Sequence, residues 1–210
     1  STRLTIDPTR RLSLVDVFLE TERLILRPFT RDDVDLLVEL DSDPEVMRYL
    51  TGGRPTPRDV VRERVLPRIR AGYRRDPGYG TWAAVVRDTG AFIGWFALTR
   101  QAGSDPAEAE LGYRLRRAAW GFGYATEVSL ALVDAGFTGD PALQRVYAQT
   151  MAVNTASRRV MERCGMRFVR TFHLHFDDPI PGTEHGEVEY EVTRSEWAAR
   201  RRPGASIAAR

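Results

Sequence analysis

The chain has 210 residues, of which 42% are hydrophobic and 29% charged, a composition typical of one globular domain and too apolar for a disordered chain. Its 31 basic and 29 acidic residues leave a net charge of +2 and give no reason to expect a nucleic acid or an anionic membrane as partner, so we predict neither. The single cysteine, Cys164, excludes an intrachain disulfide and fits a cytoplasmic protein.

The first predicted strand covers residues 22–29, where Leu24 and Leu26 share one face. Residues 1–18 before it are interpreted as an N-terminal leader, residues 19–197 as one domain and residues 198–210 as a basic flexible tail.

Helices are expected next. Thr30 with the two acids after it is typical of a helix start, because a hydroxyl can cap the first amides and carboxylates favour the positive end of the dipole. That helix runs to about residue 40, and a short one follows with Pro44 in its first turn. Apolar spacing predicts a third helix over 57–75, with Pro67 as a kink or break.

The remaining pattern alternates strands and helices. Strands are predicted over 81–87, 92–99, 108–115, 145–153, 166–176 and 187–193. Helices are predicted over 124–137 and 155–164. The strands at 81–87 and 92–99 are joined by a short turn typical of a hairpin. These patterns predict seven strands and an α/β domain.

A glycine-rich segment joins the strand at 108–115 to the helix at 124–137. Gly121, Gly123 and the small Ala125 allow close approach of the backbone, and a helix N-terminus supplies amide donors for a pyrophosphate. Two other interpretations remain open: a turn that merely uses glycine, and a dinucleotide loop. The dinucleotide loop matches poorly, since Thr126 or Glu127 stands where its third glycine belongs.

Four blocks along the chain resemble the GNAT superfamily of N-acetyltransferases, and within it the Rim type, which acetylates ribosomal-protein N-termini. In order, they are Leu19-Glu20-Thr21-Glu22-Arg23-Leu24-Ile25-Leu26-Arg27-Pro28, Glu110-Leu111-Gly112-Tyr113 with Trp120-Gly121-Phe122-Gly123-Tyr124-Ala125-Thr126-Glu127, Asn154-Thr155-Ala156-Ser157, and Glu162-Arg163-Cys164-Gly165-Met166.

This resemblance implies a mixed, twisted sheet flanked by helices, in which the fourth and fifth strands splay apart to admit acetyl-CoA. The residues it implies as cofactor-binding are Leu115, Arg116, Trp120, Gly121, Phe122, Gly123, Tyr124, Ala125, Thr126 and Asn154. Leu115 and Arg116 would pair with the pantetheine through their backbone, and a backbone N–H near Leu115 would bind the oxyanion. No metal is expected.

The chain departs from the wider family at two positions. Trp120 stands where most members have Gln or Arg, as is usual in the Rim type. Met161 stands where many members carry a tyrosine that protonates the departing thiolate, and methionine cannot donate a proton.

Acetyl transfer to an amine needs a base for the amine, donors for the oxyanion and a proton or hydrogen bond for the leaving thiolate. The resemblance suggests Glu110 as a base acting through water, with Glu108 as second choice, and Ser157 as the acid or a hydrogen-bonding relay. Two alternatives stay open: Glu110 is a surface carboxylate, and Ser157 caps a helix.

Other groups suit simpler roles. Cys164 is interpreted as a structural thiol, since attack in this family is direct. His173, His175 and Asp177 would share one face of a strand, which favours a polar cleft or solvent face over a metal site. The acids of the last hairpin either attract a cationic amine or form a solvated face; they are Asp177, Asp178, Glu184, Glu187, Glu189 and Glu191.

The function predicted is acetyl transfer from acetyl-CoA to a primary amine, either a protein N-terminus or a small molecule, by a monomer or homodimer. A non-catalytic acyl-CoA-binding module of the same fold is the alternative, favoured only by Met161.

Overall fold

The computed structural model describes residues 17–201, so nearly all of the expected leader and the end of the expected tail lie outside the described residues. One sheet of eight strands has the order β1-β2-β3-β4-β5-β6-β8-β7. The strands are β1 (Leu19–Glu20), β2 (Leu24–Pro28), β3 (Gly80–Val86), β4 (Phe92–Thr99), β5 (Glu108–Leu115), β6 (Arg145–Met151), β7 (Arg167–Phe172) and β8 (Glu187–Thr193).

Helices cover both faces of this sheet. They are α1 (Val34–Ser42), α2 (Pro44–Thr51), α3 (Arg58–Val60), α4 (Leu66–Arg75), α5 (Tyr124–Gly139), α6 (Thr155–Arg163) and α7 (Arg194–Arg200). The mixed α/β fold is confirmed. The strand beyond the expected seven is the two-residue β1, which pairs with β2.

The sheet opens in its middle. β5 and β6 are parallel and pair only over Glu108–Glu110, opposite Arg145–Tyr147, whereas all other neighbours are antiparallel. β5 continues to Leu115 and β6 to Met151 without pairing to each other. This V-shaped gap, called the splay below, confirms the separation expected from the resemblance.

Two apolar cores hold the helices against the sheet. Phe96, Leu132 and Phe137 belong to the larger core, which lies between the sheet and α5. Leu37, Val61 and Ala83 belong to the smaller core, beneath α1 and α4. Because side chains alternate along a strand, β5 sends Ala109, Leu111, Tyr113 and Leu115 toward the larger core and the residues between them to the opposite face.

The helix expected over 57–75 with a kink or break at Pro67 is interrupted just before that proline. Residues Val61–Val65 form one π-helical stretch that connects α3 to α4, and the Leu66 N–H donates to the Val61 carbonyl. A π turn places the irregularity just before the proline, which has no N–H to donate.

Two boundaries also differ from expectation. β7 ends at Phe172 instead of 176, because its partner β8 begins at Glu187, directly opposite Phe172. At the other end, α7 continues to Arg200, inside the expected tail. A capping box at Thr193 starts α7, and Arg200 donates to the Gly165 carbonyl at 2.5 Å.

Candidate active site

The glycine-rich segment forms a loop whose amides are free. Trp120 N–H donates to the Arg117 carbonyl and Glu127 N–H to the Gly123 carbonyl, but the N–H groups of residues 121–126 between them have no partner among residues 17–201. α5 begins at Tyr124, so these donors stand at the positive end of a helix dipole. Unpaired amides gathered at a helix start bind phosphate oxygens well.

Glycine is needed for the shape of this loop. Gly121 has φ +82° and Gly123 has φ +81°, a region that side chains with a Cβ rarely adopt. The indole Nε1 of Trp120 donates to the Leu115 carbonyl at 2.9 Å and ties the loop to the end of β5, while Phe122 is 60% exposed. The dihedral angles and the Trp120 hydrogen bond therefore fix the conformation of this loop, and the interpretation as a simple turn is the weaker one.

Arg23 braces the loop from outside, and sequence reasoning gave it no role. Its guanidinium donates to the Phe122 carbonyl at 2.9 Å and to Glu127 at 2.7 Å, and lies 4.5 Å from the Tyr124 ring centroid. Burial disfavours the Glu127 carboxylate, but hydrogen bonds from Thr21 and Arg23 outweigh it and lower the Glu127 pKa. The pair joins residues 104 positions apart, so no local signal announced it.

Beyond Glu110 the open side of β5 presents backbone groups to the splay. Arg116 N–H donates to the Ile93 carbonyl at 2.8 Å, so by antiparallel alternation Arg114 also faces β4, whereas Tyr113 and Leu115 face the gap. Leu115 N–H therefore faces the gap, and its role toward the pantetheine or the oxyanion stays a prediction.

The expectation for Arg116 is wrong. Its N–H is bound to Ile93, and its carbonyl accepts from Ala119 N–H at 2.9 Å. Its side chain turns away to Glu39. This residue has no free amide for a pantetheine.

Ser157 meets a tyrosine that sequence reasoning missed. The hydroxyl oxygens of Ser157 on α6 and Tyr113 on β5 lie 3.1 Å apart. This contact connects β5 to the helix that follows β6, across the splay. Burial raises the pKa of Tyr113 to about 12, so its hydroxyl stays protonated at neutral pH. Tyr113 was visible only as part of a motif, because nothing local shows that β5 and α6 meet.

Asn154, not Ser157, caps α6. Its side-chain oxygen accepts from the Ser157 N–H at 3.2 Å, and its amide nitrogen donates to the Thr150 hydroxyl at 3.0 Å. The alternative that Ser157 is only a helix cap is therefore wrong. The Asn154 side chain is occupied in holding the start of α6.

The neighbouring Met161 and Cys164 are packing residues. Both are buried in the larger core, at 4% and 3% exposure. Burial raises the pKa of the Cys164 thiol to about 12, which keeps it from forming the thiolate that a nucleophile needs.

A cleft of about 430 Å³ lies on the other face of β5, beneath α1 and α4. Glu110 lines it, and Gln101 donates to the Glu110 carboxylate at 2.5 Å. Two small residues of the sheet, Ala97 and Gly112, line the cleft and take up little of its space. A methyl group added at Gly112 would touch only the Trp95 ring, at 3.9 Å, so there is room above the strand beside the splay.

Two of the six acids of the last hairpin lie in ion pairs inside the sheet, whereas Asp177, Asp178 and Glu184 are exposed. Glu189 and Glu191 are buried and both pair with Arg145, each at 2.5 Å. Burial opposes ionisation of Glu189, but hydrogen bonds from Arg170, Gln149 and Arg145 outweigh it and lower the Glu189 pKa. These two carboxylates hold β6, β7 and β8 together, so they are not free to attract an amine.

The expected strand face with two histidines does not exist, because β7 ends before His173 and His175. Within residues 17–201 no group of His, Cys, Asp or Glu side chains is arranged to hold a metal. In the same range no helix is both long and apolar enough to cross a membrane.

Residues 23–167 match the family model described as "Acetyltransferase (GNAT) domain". The chain belongs to the GNAT family. It is 36% identical over 191 residues to the FsC-acetyl coenzyme A-N(2)-transacetylase of Aspergillus fumigatus, a match that covers 88% of this chain and 80% of the relative.

Solved GNAT structures share the fold. An acetyltransferase from Bacillus anthracis has a TM-score of 0.66 at 25% identity, covering 84% of this chain and 98% of the other. RimL, a ribosomal L7/L12 α-N-protein acetyltransferase solved with coenzyme A, has a TM-score of 0.71 at 16% identity, covering 86% and 99%. The chain is accordingly an acetyl-CoA-dependent N-acetyltransferase.

Proposed function

We propose that this enzyme moves the acetyl group directly to a primary amine, with acetyl-CoA held in the splay and the acceptor in the cleft under α4. The observation that carries the proposal is the set of free amides at residues 121–126, next to a gap that leads to the cleft wall. The N–H groups of residues 121–126 hold the pyrophosphate, and the outward amides of Tyr113 and Leu115 hold the pantetheine and the oxyanion.

The acceptor amine must lose a proton to attack, because a lysine amine has a pKa near 10.4 and an α-amine near 8. Glu110 accepts that proton through water. The amine nitrogen then forms a bond to the acetyl carbonyl carbon, the carbon–sulfur bond breaks, and the thiolate departs. No side chain is acylated, in agreement with the buried thiol of Cys164.

Tyr113 and Ser157 supply the hydroxyl that Met161 cannot. A thiol has a pKa near 8.5, well below the pKa of about 12 of Tyr113, so the pair stabilises the thiolate by hydrogen bonding instead of giving up a proton outright. Tyr113 positions the Ser157 hydroxyl, which donates to the sulfur, and water completes the protonation. Because Tyr113 and Ser157 can replace the missing tyrosine, Met161 is no longer a reason to favour a non-catalytic acyl-CoA-binding module. Steady CoA release with any amine would eliminate that alternative.

The four sequence blocks support placing the chain in the Rim-type branch, and the buried thiol suits the reducing cytoplasm. Both assignments are part of the proposal, as is the choice between monomer and homodimer.

Acetyl-CoA is expected to raise the melting temperature. A ligand that binds only the folded state contributes about 2.7 kcal/mol at a hundred times its Kd, or about 5–10 °C for a domain of this size. Differential scanning fluorimetry with acetyl-CoA measures the shift, and S-acetylglutathione, a thioester without pyrophosphate, is the control. A folded protein whose Tm does not move with saturating acetyl-CoA contradicts the cofactor assignment.

Replacing Glu110 with glutamine is expected to lower kcat/KM most at low pH, where the amine is mostly charged and the base is most needed. The pH profile of both enzymes measures this, with Glu45→Gln as a control at an exposed carboxylate on α2. A profile that keeps its shape in Glu110→Gln removes Glu110 from the role of base.

A further inference from the structure

The cleft that lies under α4 is lined by charged side chains of both signs. The acids are Asp41, Asp76 and Glu110, and the bases are Arg68, Arg75, Arg100 and Arg114. The charges that an acceptor meets are those that the protein does not already neutralise.

Internal pairing accounts for most of this set. Arg100 pairs with Asp76 at 3.4 Å and with Asp140, and Arg114 pairs with Asp41. Arg114 also lies over the Trp95 ring, 5.3 Å from its centroid. The charge of Arg114 is balanced by one carboxylate, whereas Arg100 is shared by two carboxylates, and that cluster keeps one negative charge.

Three charged side chains of the cleft lining lie outside this pairing. Arg68 and Arg75 have no ion-pair partner among the described residues, and Glu110 has only the neutral amide of Gln101. The uncompensated positive charges lie on α4 and the uncompensated negative charge on β5, beside the splay. The cleft is therefore polarised across its width.

Gly72 lies between the two arginines on the same stripe of α4, four residues after Arg68 and three before Arg75. Glycine is a poorer helix former than alanine. A methyl group added at Gly72 would meet no atom within 4 Å, and its φ is not positive, so neither packing nor backbone shape requires glycine here. The missing side chain leaves a notch in the cleft wall, flanked by Arg68 and Arg75.

We propose that the acceptor is an amine that also carries an anionic group, a carboxylate or a phosphate, which sits in the Gly72 notch between Arg68 and Arg75. The amine then points across the cleft toward Glu110. Guanidinium groups on either side suit both anions, since each offers two donors to paired oxygens. A polyamine would place a second positive charge against both arginines, so the site discriminates against it. The inference rests on the proposed function, because it takes this cleft as the acceptor site.

Matched amines test the preference in a CoA-release assay. Lysine is compared with cadaverine, and phosphoethanolamine with ethanolamine; each pair differs in the anion, and the two pairs separate carboxylate from phosphate. We expect kcat/KM to be at least tenfold higher for the anionic member of one pair. In the double variant Arg68→Gln/Arg75→Gln the ratio of kcat/KM between the anionic amine and its partner should fall toward one. Arg74→Gln, on the same helix but outside the cleft lining, should keep the parental ratio. Equal values for both members, or a ratio untouched by the double variant, overturns the proposal.

A binding measurement makes the test independent of turnover. Inorganic phosphate and malonate are titrated by calorimetry into CoA-saturated protein, whose phosphate loop is already filled. The affinity for one of them should drop at least fivefold in the double variant and in Gly72→Val, and not in Arg74→Gln. Unchanged or absent anion binding contradicts the subsite. Anion binding of the expected kind without CoA release from any amine contradicts the proposed function and leaves the subsite standing.

Discussion

Replacing Gly123 with valine is expected to weaken CoA binding at least tenfold, about 1.4 kcal/mol. Gly123 has φ +81° and directly precedes α5, so a branched side chain must distort the turn that aims the amides of residues 121–126. A Cβ at this position would also lie 3.6 Å from the Arg23 guanidinium that braces the loop, so the added methyl groups press on that brace. Calorimetric titration of CoA into the folded variant measures the loss.

Gly90→Val is the matched control. Gly90 has φ +68°, lies in the turn between β3 and β4, and has no atom within 4 Å of an added methyl group. The control therefore carries comparable backbone strain far from the loop, and it should lose stability and keep its CoA affinity. A folded Gly123→Val protein with parental affinity would show that this loop does not hold phosphate.

Removing either hydroxyl of the Tyr113–Ser157 pair is expected to lower kcat about 100-fold with little change in the KM for acetyl-CoA. A hydrogen bond to the departing sulfur is strongest once charge develops there, so its loss is a loss of transition-state binding. The variants are Tyr113→Phe, Ser157→Ala and the double replacement, compared by steady-state kinetics. Because the two groups act as one unit, the double variant should be no slower than either single variant.

Tyr73→Phe controls for the loss of a half-buried tyrosine hydroxyl. Tyr73 accepts from the Phe29 N–H at 3.0 Å and lies on α4, and its hydroxyl is remote from the splay. This variant should melt earlier and turn over at the parental rate. If Tyr113→Phe behaves in the same way, the pair is structural and the leaving thiolate has another partner.

Local sequence patterns were enough to predict most of the fold. The strands at 92–99, 108–115 and 187–193 have the predicted bounds, because alternation and turn residues act over neighbouring positions. The irregularity at Pro67 could be predicted but its kind could not, because a proline shows that a helix must adapt and not how, and here a π turn precedes it. The end of β7 depends on where β8 begins, which is 15 residues further along the chain.

The same distinction between local patterns and distant contacts decides which site residues could be predicted. The loop glycines could be predicted because their conformational need is local. Arg23, Tyr113 and the occupied amide of Arg116 could not, since each depends on a contact with a distant segment. Glu189 and Glu191 look like solvated acids in sequence and are buried ion pairs in the fold, because Arg145 comes from another strand.

The short pairing of β5 with β6 has a mechanical consequence. The sheet consists of an antiparallel block of five strands and another of three, joined by hydrogen bonds over only three residues. A change in the angle between the blocks strains few bonds of this ladder, so the larger apolar core, to which both blocks contribute, is what resists it. Arg145 ties the two blocks at their joint, because it pairs with Glu108 on β5 at 3.1 Å as well as with Glu189 and Glu191 on β8.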